Sequence, residues 1–163
     1  MHTITVKGTP SAQSGFTLIE LLATISVVGV LAATALPAYA HLQSDARAAV
    51  LQSARASLST VAHTVHARHL ADPQSRGEGS ALRLESATVT VRNGYPAADT
   101  GLAAAAGLMT EDGESNWQVA SAEGKVVVAP AGVHAVERCN VTYQQAPAPG
   151  VAPTIAITTA DCS

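Results

Sequence analysis

The sequence predicts an α+β fold in which a long N-terminal helix packs on an antiparallel sheet of about four strands. Two observations support this prediction. Near the N-terminus, a long apolar run continues into a stretch in which apolar residues recur at helical spacing. The C-terminal half contains short alternating segments separated by turns rich in Pro and Gly. A chain of 163 residues can hold one domain of ordinary size and one additional segment.

The composition indicates a lean core and little charge. Lys and Arg total 9 and Asp and Glu total 12, so the formal net charge is −3. Apolar residues make up 47% of the chain, but aromatic residues only 3%. A weakly acidic chain has no general electrostatic attraction to nucleic acid, and we expect no nucleic-acid partner. High apolar content at low charge also argues against disorder.

The apolar run covers residues 16–40 and contains a single charged residue, Glu20. As a helix it would be about 37 Å long, enough to cross a hydrocarbon core of about 30 Å. We therefore expect one membrane-spanning helix here. The alternative is a secretory signal peptide, which has a basic start and an apolar core of about 7–15 residues. Only one cation, Lys7, precedes the run, so this alternative is disfavoured.

Glu20 lies one helical turn inside the start of the apolar run. An ionised carboxylate in lipid is costly, and an ionisable residue in a membrane helix is by default a candidate functional residue. Two interpretations are open at this point. In the first, the carboxylate extends to the membrane surface. In the second, it pairs with a partner that arrives during assembly.

The segment from Gly15 to Leu22 reads GFTLIELL. It resembles the processing site of type IV pilins and of the related pseudopilins. This resemblance implies that a prepilin peptidase cleaves the bond between Gly15 and Phe16 and then methylates the new amino group of Phe16. Residues 1–15 would be the leader peptide. The leader differs from the usual family pattern, since no Lys or Arg lies close to Gly15.

The same resemblance assigns Glu20 to filament assembly and places Pro37 at the family's helix-bending proline. Cleavage would create an ammonium group at Phe16, about one turn from Glu20. In an apolar environment each charge is costly alone, and pairing between neighbouring subunits offsets much of that cost. The pair would thereby set the register in which subunits stack.

Because members of this family polymerise, the resemblance also implies partners and locations. The partners would be further copies of the chain and other pilins, the prepilin peptidase and methyltransferase, and an assembly platform in the inner membrane. Membrane lipid would surround the apolar helix before assembly. The chain would cross the bacterial inner membrane once and then enter an extracellular pilus or a periplasmic pseudopilus.

Residues 41–72 are predicted to continue the helix in amphipathic form. The apolar stripe has 3-4-3-4 spacing and consists of Leu51, Ala54, Leu58, Val61 and Val65. The polar residues opposite it are Gln52, Arg55, Ser59 and His63. We expect the helix to end near Leu70, because Asp72 precedes a proline. Pro37, together with Gly29, marks a stretch that could unwind.

Residues 73–163 are expected to form an extracytoplasmic sheet domain. The predicted strands cover residues 82–92, with or without a bulge, 125–129, 138–144 and 154–159. A short helix is predicted over 100–108. The dipeptide Asn93-Gly94 is a strong turn signal between the first strand and the helix. Four strands in short succession favour an antiparallel sheet, against which the amphipathic part of the long helix would pack.

Cys139 and Cys162 are the two cysteines of the chain, and they bound a segment near the C-terminus. In a domain outside the cytoplasm, we expect them to form a disulfide. Closing a loop of this length should stabilise the domain by about 3–4 kcal/mol. Two free buried thiols would instead fit a cytosolic domain.

Two groups of side chains could in principle hold a metal ion. They are His63, His66 and His69 on the helix, and Glu111, Asp112 and Glu114 in a loop. The histidines fan over about 120° of the helix surface, so three cannot converge on one ion without a second element. The acidic loop lacks EF-hand spacing, and a solvated turn is favoured over a calcium site. We expect no metal and no other cofactor.

The sequence contains no persuasive catalytic motif, so we expect a structural protein and no enzyme. Within the resembled family, the best-matching type is the mannose-sensitive haemagglutinin (MSHA) pilin. The residues that carry this match are the segment VRNGYPAA at 91–98, Trp117, the segment CNVTY at 139–143, and Cys162. The implied function is a pilus subunit for adhesion or motility. The alternatives are a pseudopilin of type II secretion and a membrane-tethered periplasmic binding module.

Overall fold

The computed structural model describes residues 16–72, 79–85, 87–110 and 112–162. Its elements are α1 (Leu18–Ala71), β1 (Ala81–Arg83), β2 (Thr88–Arg92), β3 (Tyr95–Pro96), α2 (Thr100–Ala105), β4 (Trp117–Ala122), β5 (Lys125–Pro130), a 3₁₀ turn (Val136–Arg138), β6 (Cys139–Gln144) and β7 (Thr154–Thr159). The chain divides into two compact units, the first ending at Tyr39 and the second beginning at Ala40. This is the predicted α+β class with a long N-terminal helix.

The part of α1 in the second unit buries the predicted apolar stripe. All five stripe residues are buried, and Ala62 joins them. Opposite the stripe, Gln52, Arg55 and His63 are exposed. The helix ends at Ala71, one residue beyond the expected end, and the Asp72 N–H still donates to the Arg68 carbonyl at 2.8 Å. The 3.6-residue period therefore identified the face that packs on the sheets.

The strands form two antiparallel sheets, and the expectation of a single sheet that includes residues 82–92 is wrong. The smaller sheet has the order β1-β2-β3 and the larger has the order β4-β5-β6-β7. Residues 82–92 do not form one strand because the chain folds back within them. The Leu84 N–H donates to the Ala87 carbonyl at 2.9 Å, and Leu82 pairs with Val89.

The larger sheet has four strands, but β4 is not among the predicted ones. Its sequence WQVASA is rich in Ala and Ser, which have little strand preference. β4 pairs with β5 along its whole length, from Trp117 opposite Pro130 to Ala122 opposite Lys125. This pairing stabilises a strand that its own residues would favour only weakly. The predicted segments at 125–129, 138–144 and 154–159 correspond to β5, β6 and β7. The predicted helix at 100–108 is α2, which begins at Thr100 as predicted and ends three residues earlier, at Ala105.

One hydrophobic core joins α1, α2 and both sheets. Its fully buried members include Leu58 of α1, Val89 of β2, Leu102 of α2 and Val128 of β5. Tyr143 of β6 is the largest buried side chain in this core. Burial raises the pKa of the Tyr143 hydroxyl strongly above its usual value, with smaller contributions from Tyr95 and Asp99.

The Asn93–Pro96 hairpin, which comprises the Asn93-Gly94 turn and β3, connects the small sheet to the rest of the second unit. Both turn residues have positive φ, 53° and 81°, as a tight two-residue hairpin requires. The Asn93 side-chain amide donates to the Ala146 carbonyl at 2.8 Å. Pro96 accepts a 2.8 Å hydrogen bond at its carbonyl from the Tyr143 hydroxyl.

The same hairpin contacts α1 through His66. The His66 Nδ1–H donates to the Gly94 carbonyl at 2.9 Å, and the His66 ring stacks on the Tyr95 ring with centroids 4.1 Å apart. The hairpin thus contacts the helix, the large sheet and the loop between β6 and β7. The predicted turn is confirmed, and β3 follows it directly.

Cys139 and Cys162 form the predicted disulfide. The closed segment is further attached to α1, since Arg47 Nη1 donates to the Cys162 carbonyl at 2.9 Å. An ion pair between Arg138 and Asp161 at 3.5 Å lies at the surface, where such pairs contribute little. The C-terminal segment is therefore held mainly by the covalent bond and by β7.

We predict that Tyr143→Phe lowers the free energy of unfolding by about 1 kcal/mol near neutral pH, because the Pro96 carbonyl loses its buried donor. The raised pKa gives a second effect. Wild-type stability is fully present below the unfolded tyrosine pKa of about 10 and falls as the pH rises above it, because the unfolded chain ionises more readily. The Tyr143→Phe variant should lack this loss of stability at alkaline pH. Urea unfolding of the full chain in uncharged micelles at several pH values measures both effects.

Tyr39→Phe is the matched control, since Tyr39 is exposed. It should reproduce the wild-type pH profile. If Tyr143→Phe behaved like this control at every pH, the assigned role of the Tyr143 hydroxyl would be wrong.

We also predict that reduction of the disulfide lowers the free energy of unfolding by about 3 kcal/mol, because it releases a loop with a sequence separation of 23 residues. The double variant Cys139→Ser, Cys162→Ser should show the same loss and no further response to reductant. Urea midpoints with and without reductant test this. An unchanged wild-type midpoint after complete reduction would contradict it.

Candidate assembly segment at the N-terminus

Helix α1 begins at Leu18 because Thr17 caps it. The Thr17 hydroxyl accepts a 3.3 Å hydrogen bond from the Glu20 N–H, and the Thr17 carbonyl accepts one of 3.1 Å from the Leu21 N–H. Phe16 therefore precedes the helix, and Glu20 lies in its first turn. A carboxylate in the first turn is also favoured by the positive end of the helix dipole.

The surface of residues 16–39, the described part of the first unit, is almost entirely apolar. Its large apolar side chains are each at least 53% exposed. They are Phe16, Leu18, Ile19, Leu21, Leu22, Ile25, Val27, Val28, Val30, Leu31, Leu36 and Tyr39. So large a contiguous apolar surface is unfavourable in water and indicates contact with lipid or with other proteins. α1 is long and apolar enough over this part to cross a membrane.

Three hydroxyl groups of this segment donate to the backbone of their own helix. The Thr24 hydroxyl donates to the Glu20 carbonyl, and the Ser26 hydroxyl donates to the Leu22 carbonyl at 2.8 Å. The Thr34 hydroxyl bonds in the same way to the Leu31 carbonyl at 2.9 Å. Such bonds allow hydroxyl side chains to enter an apolar environment without unpaired polar atoms.

The Glu20 carboxylate differs from these hydroxyl groups. Among the described residues it has no ion-pair partner, and the side chain is exposed. Gly29 and Pro37 lie within α1, and the helix continues through both. Pro37 contributes no N–H, so one intrahelical bond is missing at that point. Glu20 is therefore the one carboxylate on an otherwise apolar segment.

The other predicted candidates form no site in the described part of the chain. No group of three His, Cys, Asp or Glu side chains that could hold a metal ion occurs there. His66 is occupied with the Asn93–Pro96 hairpin. Asp112 and Glu114 are exposed, whereas Glu111 lies outside the described residues, as do Gly15 and the whole predicted leader.

The cap at Thr17 is a feature that the sequence interpretation did not include. The signal for it was present, since Thr-x-x-Glu at the start of an apolar helix is the pattern of a capping box. Only one of the two bonds of that motif is present, from the Glu20 N–H to the Thr17 hydroxyl. Thr17 nevertheless fixes where the helix begins and hence how far Glu20 lies from Phe16.

Comparison with known proteins supports a pilin-like identity for this segment. Residues 10–36 match the family described as "Prokaryotic N-terminal methylation motif". The chain is also similar to a protein named "Fimbrial protein" from Neisseria meningitidis serogroup A / serotype 4A (strain DSM 15465 / Z2491). The two are 36% identical over 88 residues, which are 50% of this chain and 52% of the relative.

The chain thus spans about half the length of the curated relative that it matches. No solved structure matches the chain significantly. Together, the methylation motif, the fimbrial relative and the α+β fold with a long N-terminal helix agree with a type IV pilin-like fimbrial subunit. The comparisons do not separate the MSHA type from other pilins.

We predict that Thr17→Val removes the cap and destabilises the first turn of α1 by about 1 kcal/mol. Amide hydrogen exchange of Glu20, measured on the full chain in micelles, should accelerate about fivefold as a result. Thr17→Ser keeps the hydroxyl and should exchange like the wild type. Equal exchange rates in Thr17→Val and Thr17→Ser would show that the hydroxyl does not cap the helix.

Proposed function

We propose that this chain is a structural subunit of a type IV pilus that polymerises through its N-terminal helix. The observation that carries the proposal is the exposed apolar surface of the first unit around one carboxylate, Glu20. The match of residues 10–36 to a methylation motif and the fimbrial relative support it independently. The role is one of assembly and does not require catalysis by this chain.

In this proposal, a prepilin peptidase cleaves between Gly15 and Phe16 and methylates the new amino group of Phe16. Residues 1–15 are the leader, and residues 16–40 anchor the chain in the inner membrane as a single span. The cap at Thr17 holds Phe16 just outside the helix, about one turn from Glu20. The ammonium group of one subunit then pairs with the Glu20 carboxylate of a neighbour.

This pairing would serve mainly to set the register of assembly. Stacked apolar helices have little reason to stop at one axial offset, because dispersion contacts vary slowly along an apolar surface. An unpaired charge in a low-dielectric interior is costly, so offsets that leave Glu20 unpaired are disfavoured. Pro37 would provide a point at which the helix bends or unwinds during packing.

The remaining parts follow from the same proposal. Residues 41–72 continue the helix, and residues 73–163 form an extracytoplasmic domain that the Cys139–Cys162 disulfide stabilises. The subunit enters an extracellular filament from the inner membrane with the help of an assembly platform and other pilins. We favour a pilus over a secretion pseudopilus because the relative is named a fimbrial protein.

Within type IV pilins, we propose the MSHA type, with adhesion or motility as the role of the filament. The support comes from the sequence at 91–98 and from the position of Cys139 and Cys162. The Asn93–Pro96 hairpin gives part of that sequence a structural role, because it contacts both α1 and β6.

Replacement of Glu20 tests the proposal. Glu20→Ala should still be processed to a chain that begins at Phe16, but surface filaments should fall at least about tenfold, since one unpaired ammonium per interface remains. Ser26→Ala is the matched control, because its hydroxyl bonds only to the backbone of its own helix. It should leave both processing and filament yield unchanged. Mass spectrometry of the chain and electron microscopy of sheared filaments provide the two readouts.

Normal filament yield from Glu20→Ala would contradict the assembly role of this carboxylate. Loss of processing together with filaments would assign Glu20 to recognition by the peptidase instead. A chain that keeps a ligand-binding activity and forms no filament in any variant would favour the membrane-tethered binding module.

A further inference from the structure

An open groove runs beside α2 on the second unit. It consists of two adjoining cavities of about 1030 and 470 Å³, which share Ala104, Met109 and Thr110. We call it the α2 groove; Asp99 lines one end of it and Trp117 the other. Its volume is sufficient for several side chains of a bound segment.

The walls of the α2 groove combine an aromatic ring with negative charge. Trp117 is half-buried, packs against the core and lines the groove. Glu114 is exposed close to it in the sequence and lines the same cavity. Asp99 adds a second carboxylate from another segment, and its Oδ1 also caps α2 by accepting a 3.2 Å hydrogen bond from the Leu102 N–H. Among the described residues that line the groove, none is Lys, Arg or His.

Hydrogen bonds build the rim on which Trp117 and Glu114 lie. The Ser115 hydroxyl donates to the Leu108 carbonyl at 2.6 Å and accepts from the Trp117 N–H at 2.7 Å. The Glu114 N–H donates to the Thr110 hydroxyl at 3.0 Å, and the Thr110 N–H donates to the Glu114 carbonyl at 2.8 Å. These bonds tie the rim to the segment that follows α2, so they fix the backbone from which the Trp117 ring and the Glu114 side chain extend.

We propose that the α2 groove binds a basic segment of a partner protein, with an arginine or lysine side chain lying on the Trp117 ring and pairing with Glu114. A cation over an indole face is attracted by the ring quadrupole, and Trp is the best of the aromatic residues for this contact. Arginine can stack on the ring and donate two hydrogen bonds to a carboxylate at the same time.

The charge of the groove lining favours a basic segment over other classes of ligand. With Glu114 and Asp99 in the lining and no cation among its described residues, the groove repels nucleic acid, anionic lipid and acidic peptides, whereas a basic segment can pair with Glu114. A neutral ligand would gain from the ring but leave the Glu114 carboxylate without a counter-charge. The proposal does not depend on whether the chain forms a pilus, since it uses only the second unit.

Trp117 is the only tryptophan in the chain, so its fluorescence reports on this groove alone. The test titrates the full chain, in uncharged micelles, with a tetra-arginine peptide and with the same peptide containing citrulline, which has nearly the same shape without the charge. The arginine peptide should give a saturable change that weakens as salt is added. The citrulline peptide should bind at least about fivefold more weakly.

Two variants locate the binding. Glu114→Gln should weaken the arginine peptide about three- to fivefold, whereas Glu137→Gln removes the same charge from the exposed 3₁₀ turn outside the groove and should have little effect. Trp117→Leu should weaken a dye-labelled arginine peptide about two- to fivefold, measured by anisotropy. Equal binding of the two peptides, equal effects of the two glutamate variants, or no saturable binding of the arginine peptide would each overturn the proposal.

Discussion

The cost of exposing apolar surface to water is the constraint on which this molecule depends. The apolar side chains of the helix α1 have two different environments along its length. In the second unit, one stripe of the helix is covered by both sheets, and its polar face remains in contact with water. In residues 16–39, the large apolar side chains are exposed, and such a surface indicates contact with lipid or with other proteins. In the proposed function, lipid surrounds these side chains before assembly, and further copies of the helix cover them in the filament.

Polar groups can be placed in such an apolar surface only when each has a partner. Thr24, Ser26 and Thr34 find theirs in the backbone of their own helix. The carboxylate of Glu20 has none among the described residues and cannot be satisfied by a carbonyl group, because an ionised carboxylate only accepts hydrogen bonds. This difference is why Glu20, and not a hydroxyl, is suited to recognise a positively charged partner.

The second unit depends on a few polar contacts as well as on its core. With so few aromatic residues, its hydrophobic interior consists mainly of Val, Leu and Ala. The Asn93–Pro96 hairpin compensates by joining three elements through hydrogen bonds and one ring stack. The disulfide has a similar effect at the C-terminus. Asn93 and Tyr95 make these contacts through their side chains, whereas Gly94 and Pro96 use their backbone carbonyls.

Much of the fold could be predicted because its signals are local and periodic. The stripe on α1 follows the helical period, and the alternation in β7 identified its bounds. The strand β4 and the break at Leu84 could not be predicted in this way, because neither has a strong local signal and both are ordered by pairing with the next strand along the chain. At the candidate site, Glu20 was evident from its charge, whereas Thr17 required attention to capping. The α2 groove has no sequence pattern, since the fold brings Asp99 and Trp117 to two adjoining cavities.

The most direct test of the central claim is the mass and N-terminal sequence of the chain recovered from filaments sheared from cells. The account predicts a chain that begins at Phe16 and carries one methyl group on its amino terminus. Recovery of the chain only from the membrane fraction, with Met1 still in place and no filament containing it, would contradict the account.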